Sequence, residues 1–380
     1  MLKQITFRNY KAFEGEEILE IRPITLLIGK NSSGKSSLCK LLPLLANATS
    51  GDIDTPLLLN NGNISLGSRF EDLFHNNLTT GLALGVSFDN NISISATYAM
   101  SNGNLFIYEY SASNGKEINT RKYTSAIQSS SQNFKGLINE SVFKTLEIPF
   151  NNIKFSLDYL GPIRIEANRT IAFEGYNKID NVGIKGENTY KLLLNSFLRK
   201  DGLFDAVSEW MDKNLEGQKL ALSETASGIY SLYIERRNTK VNIADVGFGL
   251  SQVLPIITQS FLKGGSDIAV IEQPVLHLHP AAHANVAYRL AEASKNNNTK
   301  YIIESHSENF LLGLRKMVSD RNCNFGPEDL MIYFVDIDEE TGSAYLRKIT
   351  IDENGDLSEW PTGVFSESFE LLSDIKNNQK

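Results

Sequence analysis

The sequence predicts an α/β fold in which parallel strands are separated by helices, with an antiparallel β lobe and a helical insertion attached. Three observations carry this. A short apolar strand enters a glycine-rich loop and a helix after Ile24, alternating segments fill the stretch from Leu57 to Leu157, and strands and helices take turns after Lys219.

The segments KQITFRNY and EEILEI alternate as half-buried strands do, and ITLLIG is the apolar run of a fully buried one. LCKLLPLLANA has helical spacing, and Pro43 is expected to end or kink that helix after about two turns. LALGVSFD, ISISATYAM and NLFIYEYSA read as hairpin strands, while SAIQSSSQNFKG is polar, weakly patterned and expected to be a mobile loop. Between Asn188 and Leu215 the spacing turns helical (TYKLLLNSFLRK, LFDAVSEWMDKNL). There follow strands KLALSET, IYSLYIERR and KVNIADVG, a helix from Ser251, strand DIAVIEQP, helix AAHANVAYRLAEASKN and strand KYIIESHS. The tail holds two or three strands with tight turns at EETG and ENGD. These elements are expected to form one composite unit: a β lobe with the glycine-rich loop at 1–160, a helical insertion with flanking strands at 161–235, and a final α/β lobe at 236–380.

The chain has 380 residues, 41% of them hydrophobic, and a formal net charge of −8. That charge gives no general attraction to nucleic acid or anionic lipid, so DNA contact requires a local basic patch. Two distant cysteines, Cys39 and Cys323, form no metal or disulfide framework, which points to a reducing compartment. The opening lacks a signal layout and no apolar run nears the ~18 residues of a membrane span, so a cytoplasmic location is expected.

GKNSSGKS, Gly29–Ser36, matches G-x-x-x-x-G-K-[ST] between a strand and a helix, the context this phosphate loop requires. Gly29 and Gly34 let the backbone curl, so that amides of Lys30, Asn31, Ser32, Ser33 and Ser37 join the helix N-terminus around phosphates. Lys35 is expected on the β- and γ-phosphates and the Ser36 hydroxyl on Mg²⁺, which implies ATP and magnesium as cofactors. In DIAVIEQP, Glu272 ends a buried strand as a second metal-side carboxylate should, and Gln273 stands where a water-activating glutamate belongs. An amide orients water but accepts no proton, so slow hydrolysis is expected.

Three further segments follow in order: VGFGLSQVLP, PVLHLHP and IIESHSE. Together with FRNYKAF, YLGPIRIEANR and the tail GDLSEWPTGVF, they resemble ABC-type P-loop ATPase heads grouped with OLD, RecF and SMC proteins. The resemblance is closer to stand-alone bacterial AAA-like ATPases of anti-phage defence operons. It implies a homodimer or higher oligomer in which the phosphate loop of one head and the signature loop of the other enclose ATP. Gly247 and Gly249 would then present amides to the γ-phosphate, Ser251 would open the signature helix, Phe248 would pack beside it, and His306 would sense the γ-phosphate. The chain departs from the resemblance at Val275, where relatives often carry glutamate, and at His279, where the D-loop aspartate would stand. His277 and His279 form an HxH without further ligands at metal spacing. Arg164 and Arg169 are candidates for steering nucleotide or a partner, and no glutamine is assigned to a Q-loop.

Three functions compete. An OLD-like nuclease needs a carboxylate cluster, but Asp336 and Asp338 lie where a hairpin turn is expected. A RecF- or SMC-like clamp needs a DNA-binding face that the acidic balance does not advertise. A regulatory ATPase that restrains a nuclease or toxin effector uses the residues that are present, and is the expected function.

Overall fold

The computed structural model describes residues 1–176, 178–360 and 374–376. Its central sheet has the order Leu157–Leu160, Ile268–Glu272, Lys300–Glu304, Ile24–Gly29, Leu330–Ile337 and Ala344–Ile349. The first five strands are parallel and the last is antiparallel. Ile24–Gly29 and Ile268–Glu272 are buried along their whole length, which is why they read as unbroken apolar runs. Alternate residues serve two cores. Leu27, Val270 and Ile302 face helix Lys35–Ser50 and the β lobe. Leu26, Ile271 and Ile303 face helices Phe248–Phe261, Pro280–Asn296 and Glu308–Ser319.

The β lobe is an antiparallel sheet in the order Glu17–Glu20, Leu2–Arg8, Thr80–Phe88, Ser93–Ser101, Asn104–Ser113 and Ile118–Lys122. Helices Thr189–Arg199 and Leu203–Asn214 form the insertion. Beyond it Ile229–Arg236 pairs with Lys219–Ala226, Ile171–Ala172 and Thr239–Asn242.

Four local expectations need correction. The first helix does not end at Pro43 but continues through it to Ser50. A mid-helix proline costs about 3 kcal/mol, whereas burying each of Leu38, Leu41, Leu42, Leu44 and Leu45 returns about 1.5–3 kcal/mol. Packing overrides propensity. Within SAIQSSSQNFKG, Ala126–Ser130 is a helical turn because Ser125 Oγ caps the amide of Gln128, and Phe134–Lys135 pairs with Ile138–Asn139. The signature helix begins at Phe248, three residues before Ser251. Helices Glu140–Thr145 and Glu308–Ser319 were not anticipated, although Asn139 and Ser307 cap them in the usual way.

Both tail turns are built by aspartate: Asp338 accepts amides of Glu340 and Thr341, and Asp352 those of Asn354 and Asp356. Of GDLSEWPTGVF, the part beyond residue 360 lies outside the described residues. Among the described residues no helix is long and apolar enough to cross a membrane.

Candidate functional site

The phosphate loop leaves the central strand at Gly29, whose φ of 149° and pairing opposite Val335 leave no room for a side chain. A Cβ there would lie 2.4 Å from the Val335 carbonyl oxygen. Gly34, with φ 105°, precedes the helix, and a Cβ on it would meet the Phe13 ring at 3.0 Å. Phe13, from FRNYKAF, is fully buried, so the N-terminal arm forms the floor under the loop.

Lys35 is buried, and its ammonium donates to the carbonyls of Gly29 (3.0 Å) and Lys30 (2.6 Å), with Ser33 Oγ at 3.5 Å. Burial lowers its pKa, partly opposed by the Glu304 carboxylate. The loop thus closes around the cation that a phosphate would recruit.

Around it lies a cleft of about 800 Å³, lined by Asn31, Ser32, Gly34 to Ser37, Glu272, Gln273, Glu304 and His306, with Ala12, Pro162 and Leu276 at its edges. Gly29 and Ser33 are buried and Lys30 is exposed, and none of the three lines the cleft. His306 is exposed in the cleft; partial burial and then the Lys35 ammonium hold its imidazole below its usual pKa, which favours the neutral form.

The acidic side of the site holds Glu304 in addition to Glu272. Ser36 Oγ donates to Glu304 Oε2 at 2.9 Å and also interacts with the Glu272 carboxylate, so two carboxylates face the loop. Parallel register sets Glu272 directly beside Glu304 on the next strand. Glu272 is 2% exposed and accepts the Tyr159 hydroxyl. Burial pushes its pKa up to about 7, with the Tyr159 hydrogen bond opposing and the Glu304 carboxylate reinforcing the shift. Arg164 is buried as well, donating to the backbone carbonyls of Glu272 (2.5 Å) and Gln273 (3.3 Å). It therefore braces the strand end from inside. Arg169 lies outside, in an exposed bidentate pair with Asp245 just before the signature loop.

Sequence reading missed Glu304 and Tyr159 as site residues. Glu304 had a signal, since it closes a buried strand two residues before His306. Nothing local distinguished Tyr159.

Gln273 has φ 50° and donates its amide to the Glu304 carbonyl at 2.8 Å. From here the segment through His279 links two sites. Gln273 and Leu276 line the phosphate-loop cleft, whereas His277, Leu278 and His279 line a second cleft of about 580 Å³ with Val246 to Leu250. The two clefts share no lining residue. His283 ties the regions together, its ring nitrogens lying 3.1 Å from the Leu278 carbonyl and 2.7 Å from Ser307 Oγ.

Phe248 is 45% exposed and meets the His277 ring edge-on, with centroids 5.1 Å apart. Gly247 caps the helix from an open position. Gly249 is different: a Cβ on it would lie 2.3 Å from the His277 carbonyl oxygen. Its smallness serves contact between the signature helix and the HLHP segment. Ser251 is buried, with its hydroxyl spent on the Phe248 carbonyl. Gly249→Ala is therefore expected to destabilise by about 1–3 kcal/mol in denaturant unfolding, reversing the ~1 kcal/mol gain of alanine over glycine in an ordinary helix. A stability equal to wild type or higher would refute that packing role.

The acidic donors beside Ser36 are hard oxygens, as magnesium prefers. Among the described residues no group of three or more histidine, cysteine or acidic side chains could hold a metal by itself. Such a set fits an ion that takes its remaining ligands from phosphate and water.

Residues 24–313 match the model of the family described as an AAA domain, putative AbiEii toxin, Type IV TA system. Residues 326–375 match a second model, described as a protein of unknown function. No curated protein matches. Among solved structures, an SMC head bound to the C-winged helix domain of ScpA aligns with a TM-score of 0.55 at 13% identity, covering 92% of this chain and 98% of that one. The SMC head domain from Thermotoga maritima aligns at 0.47 and 11% identity, covering 92% and 99% of the two chains. At 13% identity the first likeness concerns the fold alone, a P-loop NTPase fold of ABC type. With its family match spanning well over half its length, the chain belongs to the AAA-domain family described as putative AbiEii toxin, Type IV TA system, and is an ATPase of the AAA type.

Proposed function

We propose that this protein is an ATP-held switch: one composite head that binds ATP·Mg²⁺, dimerises on it, hydrolyses it slowly and restrains a protein effector, a nuclease or toxin, in bacterial anti-phage defence. The single observation that carries the reading is the separation of the two clefts. A phosphate loop complete in its residues and a signature loop in a separate cleft of the same chain leave one nucleotide between two copies as the arrangement that uses both. ATP phosphates would lie on the amides of Asn31 to Ser37 and on Lys35, with magnesium beside Ser36 and the Glu272 and Glu304 pair. Bound magnesium would neutralise phosphate charge. Gln273 would orient water without taking its proton, and neutral His306 would hydrogen-bond the γ-phosphate.

The effector is inferred from a site in which the binding residues are present while the base is an amide; the family description, which names a putative toxin of a toxin–antitoxin system, applies to the AAA-domain chain itself. An SMC-like DNA clamp is the alternative, and the net charge of −8 argues against it. Phosphate release under single and multiple turnover tests the slow switch. The expected rate lies roughly 10²–10⁴-fold below that of a site with an intact base. Rapid cycling by the wild type without a partner would overturn the switch.

A further inference from the structure

We propose that the outer edge of the central sheet carries a separate ligand site, a cavity that takes a small organic cation rich in N–H donors, of the guanidinium or primary-amine class.

Strand Leu157–Leu160 forms one edge of the sheet. Along it runs a cavity of about 310 Å³, walled by this strand, by residues 181–184, by Pro43 of the first helix and by Gln259 of the signature helix. That volume lies at the small end of the range for small-molecule sites. The cavity shares no lining residue with the phosphate-loop cleft or the signature cleft. Its backbone contribution follows from the strand pairing. Ile268 donates to the Ser156 carbonyl, so residues 156, 158 and 160 spend their backbone groups on strand Ile268–Glu272. Leu157 and Tyr159 therefore turn theirs to the outer edge, where both line the cavity.

The side chains set the charge. Gln259 is 4% exposed and its Nε2 donates to Asp158 Oδ2 at 2.7 Å, which leaves Oε1 as a buried acceptor without a hydrogen-bond partner. Such an acceptor costs about 1–3 kcal/mol, which a donating ligand would recover. The lining holds two carboxylates, Asp158 and Glu187, and no lysine, arginine or histidine. Burial raises the Asp158 pKa; hydrogen bonds from Gln259 and Ser266 oppose the shift, and the Asp180 carboxylate adds to it. A cation that donates N–H groups satisfies both the carboxylate and the free amide oxygen, whereas an anion satisfies neither.

The probes are agmatine, which carries a guanidinium and an amine, blocked arginine amide, and choline, a cation without an N–H donor. Each is titrated into the purified protein by calorimetry. Wild type is expected to bind agmatine or the blocked arginine saturably and choline not at all. Preference for agmatine identifies a free small amine as the source of the group, and preference for the blocked arginine identifies an arginine side chain. Asp158→Asn should weaken binding about 10–100-fold and Gln259→Leu about 10-fold, each checked for folding by thermal unfolding. Glu187→Gln, at an exposed position, should weaken it about 2–5-fold and serves if neither buried variant folds. Absence of saturable binding by both N–H donors in the millimolar range overturns the proposal and leaves the cavity to ordered water. Equal binding of choline, or unchanged affinity in the folded variants, overturns it as well.

Discussion

Lys35→Ala is expected to lower ATP affinity by at least ~10²-fold, because each charge-assisted hydrogen bond to phosphate contributes about 1.5–3 kcal/mol and Lys35 is placed to make more than one. The local structure sharpens the expectation. Without phosphate the ammonium already holds the Gly29 and Lys30 carbonyls, so alanine removes both the ligand contact and the two bonds that close the loop. Binding should be measured with a fluorescent ATP analogue beside a thermal melt. A folded Lys35→Ala protein that binds ATP as wild type does would mean that Gly29–Ser36 is not a nucleotide loop.

Gln273→Glu should raise ATP turnover by about 10²–10⁴-fold, the range that a general base contributes. The exchange conserves shape, and the backbone anchors of position 273 remain: its amide bond to Glu304 and the Arg164 contact to its carbonyl. The new carboxylate would join Glu272 and Glu304, and like charges raise one another's pKa. The gain should therefore grow as pH rises from neutrality, because only the ionised form accepts the proton. Phosphate release measured from pH 6 to 9 checks both statements. No gain at any pH would show that the missing base is not what limits hydrolysis.

Much of this architecture was legible because it is local. The phosphate loop, the buried strands on either side of it and the hairpin lobe each announce themselves within ten residues, through apolar runs, period-two alternation and glycine placement. What stayed hidden depends on partners far along the chain. Glu304 reaches Ser36 across 268 positions and Tyr159 reaches Glu272 across 113, joined only by the register of parallel strands. Arg164 reads as one arginine among many until its strand end folds over it. Pro43 was misjudged because its local rule was sound but the buried leucines around it decide its role.

The most direct measurement is the molar mass of the purified protein by light scattering, without nucleotide, with ADP and with saturating ATP·Mg²⁺. Because the phosphate loop and the signature loop line separate clefts of one chain, mass should double with ATP, remain unchanged with ADP, and remain unchanged in Lys35→Ala under all conditions. A mass unaltered by ATP, in samples whose ATP binding is verified by titration, would contradict the ATP-held dimer on which the account depends.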